Sequence, residues 1–115
     1  MASVSYKLVQ PEKVIKQGSA WGIVLPTGEI NLTVIVGQAP SIVKFDAGLV
    51  KILDDDGQVC DRYFVKEGVA SIAADVCVIT SEIIWNKAKL NFEEIREKSK
   101  DDDFCEMIVD KWTAD

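Results

Sequence analysis

Leu25-Pro26-Thr27-Gly28-Glu29-Ile30-Asn31-Leu32-Thr33-Val34-Ile35-Val36-Gly37-Gln38-Ala39-Pro40, with its continuation to Asp46-Ala47-Gly48, decides the fold. Pro26 cannot donate to a strand ladder, so the strand before it stops there, and the glycines supply tight turns. Between the turns, Leu32, Val34 and Val36 fall on one face of a strand. No nucleophile with its base, and no set of metal ligands, lies in the stretch. Two turns around an unreactive strand point to a docking surface and away from a catalytic pocket.

The same rhythm extends in both directions. Val4, Tyr6 and Leu8 alternate with Ser3, Ser5 and Lys7, a half-buried strand broken at Gln10-Pro11-Glu12. Val14-Ile15 reads as a short second piece ended by Gln17-Gly18-Ser19. Trp21, Ile23 and Leu25 read as one face of a third strand. Ile42, Val43 and Phe45 lead to the break at Ala47-Gly48. Leu49 to Leu53 and Val59 to Val65 flank Asp56-Gly57, a strong hairpin signal, with Tyr63 and Val65 alternating with Arg62 and Phe64. A last hairpin, Val69 to Ala73 and Val76 to Ser81, turns at Ala74-Asp75. Short strands with turn signals every 8 to 12 residues or so indicate a sandwich or barrel.

After Glu82 the period changes. Asn91 is suited to cap a helix, with Glu94 three positions on and Phe92 and Ile95 at i, i+3. Asp101-Asp102-Asp103 interrupts that helix and supplies the cap of a second, which carries Phe104, Met107, Ile108 and Trp112. Helices this short are marginal alone in water, so the tail is expected to pack on the sandwich.

Composition narrows the chemistry. Of 115 residues, 48% are hydrophobic, enough for a core. Aliphatic runs such as Ile23-Val24-Leu25 fall far short of the roughly 20 residues of a membrane span, and Met1-Ala2-Ser3-Val4 opens no signal-peptide pattern. There is no histidine, which removes Ser-His and Cys-His pairs and every histidine metal site. Cys60, Cys77 and Cys105 form no C-x-x-C and read as buried or half-buried reduced thiols. The net charge of −6 is concentrated after residue 90, and an acidic chain without a basic face is a poor nucleic-acid binder. Asp54-Asp55-Asp56 and Asp101-Asp102-Asp103 lack the alternate spacing of a calcium loop and read as hairpin tip and helix cap. Gly28 and Gly37 are not followed by the lysine of a phosphate loop. No catalytic, cofactor-binding or metal-binding residue is expected. On these readings alone, a generic β-sandwich adaptor with an acidic helical tail stays open.

The turns, taken in order, resemble the ε subunit of F-type ATP synthases, called δ in mitochondria. Val9-Gln10-Pro11-Glu12-Lys13-Val14 is similar to that family's opening strand and Pro-Glu turn. Gly18-Ser19-Ala20 through Leu25-Pro26 is similar to its Gly-x-Ala step. Its Gly-Glu-Phe-Gly-Val-Leu-Pro-Gly-His-Ala-Pro segment aligns with Ile30 to Pro40. Ala47-Gly48-Leu49-Val50, Tyr63-Phe64-Val65-Lys66-Glu67-Gly68 and Val76-Cys77-Val78 resemble three later signatures. The departures are Ile30-Asn31 for Gly-Glu, Val36 and Ala47 for prolines, and Gln38 for histidine.

The resemblance implies a mainly β fold, with an N-terminal flattened β-sandwich over residues 1–86 and a short C-terminal α-helical hairpin over 87–115. It implies a non-catalytic central-stalk subunit that couples rotation of the c-ring and γ subunit to ATP synthesis. It places that subunit, without membrane insertion, on the cytoplasmic face of the bacterial inner membrane. Carried over residue by residue, it assigns Pro26, Thr27, Gly28, Glu29, Ile30 and Asn31 to the polar loops of the c-ring. Gln38, Ala39, Pro40, Ser41 and Ile42 are assigned to γ. Contact with the α and β subunits would run through the tail. Some family members bind ATP through an Ile/Leu-Asp-x-x-Arg-Ala motif. Leu90-Asn91-Phe92-Glu93-Glu94-Ile95 lacks both the Asp and the Arg, so no nucleotide is expected.

Overall fold

The computed structural model describes residues 3–28 and 31–113. Ten strands are described: β1 (Val4–Gln10), β2 (Lys13–Ala20), β3 (Gly22–Leu25), β4 (Leu32–Ile35), β5 (Ser41–Phe45), β6 (Gly48–Leu53), β7 (Val59–Val65), β8 (Gly68–Ala73), β9 (Val76–Ser81) and β10 (Ile84–Asn86). A 3-10 turn (Lys87–Lys89) leads to α1 (Phe92–Lys98) and α2 (Asp103–Lys111). The strands form two sheets of five, ordered β2-β1-β9-β8-β5 and β10-β7-β6-β3-β4. Neighbours run antiparallel except β1 and β9, which are parallel.

The inner faces build one core. Val4, Leu8, Ile23, Leu25, Val34, Val50, Val65 and Ile79 are fully buried between the sheets, with Tyr6, Phe45 and Tyr63 beside them. The first strand alternates as its sequence requires, because one of its faces meets the core and the other solvent. The hairpin at Asp56-Gly57 forms as read. The Asp54 carboxylate accepts from the Asp56 and Gln58 N–H groups, each at 3.0 Å, and Gly57 takes a φ of 77°. Asp54 is thus engaged as a turn residue.

Four readings need correction. β2 runs unbroken through Gly18, which lies opposite Tyr6. A Cβ at Gly18 would sit 3.2 Å from the Tyr6 hydroxyl, so the tyrosine ring covers the glycine and the ladder continues. Trp21 lies outside β3 and is 41% exposed, its N–H donating to the Leu53 carbonyl. Cys60 is exposed, unlike Cys77 and Cys105. β7 does not alternate at its end: Tyr63, Phe64 and Val65 are all buried. The last deviation has a direct cause, since the helical tail covers the outer face of the second sheet.

That cover is a second cluster of Leu49, Phe64, Ile95, Phe104, Cys105 and Ile108. Asn91 caps α1 by accepting from the Glu93 and Glu94 N–H groups at 3.0 and 3.3 Å. Asp102 caps α2 by accepting from Phe104 and Cys105 at 2.8 and 3.3 Å. Trp85 meets Phe104 edge-on at 5.2 Å, and Trp112 stacks on Phe64 at 6.0 Å. Docking therefore supplies what helices of this length lack on their own.

Candidate docking surfaces

β3 and β4 pair antiparallel, with Leu25 opposite Leu32 and Gly22 opposite Ile35. The 26–31 loop therefore closes one end of the sandwich, and the corner after Ile35 leaves from the other.

At the loop end, Pro26 is buried and its carbonyl accepts from the Asp46 N–H at 2.8 Å. A Cβ on Gly48 would lie 2.8 Å from the Pro26 Cβ, so glycine there lets the proline ring seat against the start of β6. Thr27 is half-buried, Gly28 is exposed with a φ of 114°, and Asn31 is exposed just before β4. Glu29 and Ile30, expected in this set, lie outside the described residues.

At the corner end, Gly37 takes a φ of 88° and its N–H donates to the Asp75 carboxylate at 2.8 Å. That bond ties the corner to the β8–β9 turn, where Ala74 and Asp75 also have positive φ. The Gln38 side-chain oxygen accepts from the Ile35 N–H at 2.8 Å and closes the end of β4. Ala39 and Pro40 are exposed. The Ser41 hydroxyl donates to the Ala39 carbonyl at 3.3 Å, and Ile42 stands 76% exposed at the start of β5. All five residues assigned to the corner are thus brought together.

The largest shifts in acidity fall in the core, away from both sets. The Tyr63 hydroxyl is pushed up to about 12, by burial first and then by the charge of Asp61. Tyr6 is raised for the same two reasons. Burial raises the Cys77 thiol to about 11. No group of histidine, cysteine and acidic residues suited to a metal occurs among the described residues. The hollow between β10 and α1 is lined in part by Leu90, Asn91, Glu94 and Ile95. The Asn91 side-chain oxygen there is engaged in capping α1.

The family model for the ATP synthase delta/epsilon chain beta-sandwich domain matches residues 3–86. The chain belongs to the ATP synthase delta/epsilon family. It is 32% identical over 111 residues to the ATP synthase epsilon chain of Granulibacter bethesdensis, covering 96% of this chain and 82% of that one. It is 30% identical over 97 residues to the epsilon chain of Rickettsia bellii, covering 84% and 90%. Its fold is similar to a chain in the Euglena gracilis mitochondrial ATP synthase OSCP/F1/c-ring structure. There the TM-score is 0.69 at 21% identity, over 88% of this chain and 68% of that chain. A delta/epsilon chain is a structural and regulatory subunit of ATP synthase and is not itself catalytic.

One surface of this delta/epsilon chain escaped the sequence reading. Register places Lys7, Val78, Ser71 and Ile42 in one row across four strands of the first sheet. Val9, Thr80, Val69 and Lys44 form the next row. Ser5, Val76 and Ala73 form a third. These outward positions carry two lysines and no carboxylate, in a chain of net charge −6. Ile42 makes the face continuous with the corner. The signal was present in β8 and β9, whose outward residues are valine, serine, alanine and threonine where a solvated face usually carries charge.

Proposed function

We propose that this delta/epsilon chain is a coupling element of the central stalk. The outer face of the first sheet and the corner of Gln38 to Ile42 dock the γ subunit. The 26–31 loop, at the opposite end, faces the polar loops of the c-ring. The observation that carries this reading is the pair of turn segments at opposite ends of one packed sandwich, joined by a carboxylate-free sheet face. Two solved structures of similar fold are those of an F1/c-ring assembly and a central stalk/c-ring assembly, which supports it.

The mechanical role follows from packing. A close-packed interior has low compressibility, so a load applied at one end of the sandwich reaches the other with little deformation. Residues 1–86 act as the docking unit and 87–115 as the tail. Contact with the α and β subunits falls to the tail's exposed acidic side, at Asp101, Glu106 and Asp110. No helix among the described residues is long and apolar enough to cross a membrane. The chain is held peripherally, at the cytoplasmic face of the bacterial inner membrane, through its partners.

The test is capture of γ from a native lysate by the tagged full chain. Ile42→Asp and Val69→Asp change exposed positions and are expected to reduce captured γ about tenfold or more, with thermal unfolding unchanged, because each buries a charge at the interface. Capture of γ by both variants at the parent level would remove the sheet face from the reading. Failure of the parent chain to capture γ would remove the reading itself.

A further inference from the structure

The chain crosses from the second sheet to the first between β4 and β5, through residues 36–40. Both strands lie at the edge of their sheets, β4 paired with β3 and β5 with β8. An edge strand has ladder bonds along one side only, so the course of this crossover depends on what ties the corner. Two side-chain bonds there are local: Gln38 accepts from the Ile35 N–H, and the Ser41 hydroxyl donates to the Ala39 carbonyl. A third comes from 38 positions away, where the Asp75 carboxylate accepts from the Gly37 N–H at 2.8 Å. A Cβ on Gly37 would meet nothing within 4 Å, so glycine is there for its φ of 88° and not for space. Asp75 is itself held. It is the second residue of a two-residue turn between the paired Ala73 and Val76, and its carbonyl accepts from the Ser5 N–H of β1 at 3.0 Å. Ala74 and Asp75 have φ of 50° and 60°, the signs a type I′ hairpin turn needs. Such turns favour glycine at the second position, and a glycine would bring no carboxylate to the corner. Local turn chemistry and the residue present thus disagree at the one position that reaches Gly37.

We propose that Asp75 is the positioning residue of the γ-docking corner. Through the Gly37 N–H it fixes the course of residues 37–42, and with it where Pro40 and the 76%-exposed Ile42 stand. This role rests on the reading of the corner as a γ contact, and it adds to that contact a residue from the β8–β9 turn. An untied crossover samples several courses. A partner that fits one of them then binds with an affinity reduced by the fraction of time that course is occupied. The sandwich does not depend on the tie, because β5 stays paired to β8 from Ser41 to Phe45, and β8 to β9 from Gly68 to Ala73. Loss of the bond should therefore be felt in binding and not in stability.

Two variants of the full chain separate the carboxylate from the backbone. Asp75→Gly keeps the positive φ and removes the acceptor; Asp75→Asn keeps a side-chain oxygen and tolerates the same φ. Three quantities are measured: γ captured from a native lysate by the tagged chain, exchange of the Gly37 amide with water by NMR, and the thermal unfolding midpoint. Asp75→Gly is expected to exchange Gly37 about tenfold faster and to capture about fivefold less γ, with its midpoint at or above the parent's. Asp75→Asn is expected within about twofold of the parent in both readouts. Full capture of γ by Asp75→Gly overturns the positioning role. Loss of γ by Asp75→Asn while Gly37 stays slow overturns it in favour of a direct charged contact. A midpoint for Asp75→Gly lower by more than about 5 °C overturns it in favour of a merely structural one. A parent chain that captures no γ overturns the docking reading instead, and the Gly37 exchange rates still decide whether Asp75 ties the corner.

Discussion

On the first sheet, β1 buries Val4, Tyr6 and Leu8 and leaves Ser5 and Lys7 in solvent. On the second, β6 buries Val50 and Ile52 on one side and Leu49 on the other. Both sheets have five strands and share one core, yet only the second is covered on both faces. The tail makes the difference, through Ile95, Phe104, Cys105 and Ile108 against Leu49 and Phe64. An uncovered face that carries no carboxylate is available for a partner; a covered one is part of the fold. The two outer faces should therefore respond to mutation in opposite ways.

The largest contrast is expected between Phe64 and Val69. Phe64→Ala removes the large side chain under the tail and should cost about 3–5 kcal/mol. Val69→Ala, on the open face of the first sheet, should cost about 0.5 kcal/mol or less. Urea midpoints with a common slope measure both. Equal losses would mean that the first sheet's outer face is also structural.

Alkaline pH probes the core that the sheets share. Burial gives Cys77 a folded-state value of about 11 against 9.0 when free, and Tyr63 about 12 against 10.0. Over those windows the folded chain holds protons that the unfolded chain has lost. Stability is therefore complete below pH 9 and falls as pH rises through the windows. The thiol's share should be on the order of 2 kcal/mol. Cys77→Ala should shrink the fall through the thiol window to the part that the raised Cys105 and Cys60 thiols contribute, read by denaturant titration at several pH values. A parent chain with flat stability across both windows contradicts the assignment of these groups to a dry core.

The smallest expected effect isolates the second sheet's cover. Asp102→Ala leaves the Phe104 and Cys105 N–H groups without their cap and should cost about 1 kcal/mol. Hydrogen exchange should rise in α2 and not in β1 or β9. A rise spread evenly over both sheets would erase the distinction between tail and sandwich.

Much of this was legible residue by residue. Asp56-Gly57 turns where it should, Asn91 and Asp102 cap where capping chemistry predicts, and the alternation of Val4, Tyr6 and Leu8 is what one covered face produces. The failures share a cause. Gly18 reads as a strand end, yet Tyr6 from the neighbouring strand lies over it and lets β2 continue. Phe64 reads as an outward residue, and a helix 40 positions or so further on covers it.

The sequence by itself determined the local elements: where proline and glycine stop a strand, where Asn and Asp start a helix, and which residues of each strand share a face. Those follow from backbone sterics and from partners a few positions away. The tertiary structure decided which of two apolar-looking outer faces is covered and which stays open. It also tied the corner to the β8–β9 turn through Gly37 and Asp75, and seated Pro26 against Gly48. Those outcomes rest on contacts between residues far apart in the chain, whose free energy exists only when the whole sandwich and its tail are assembled.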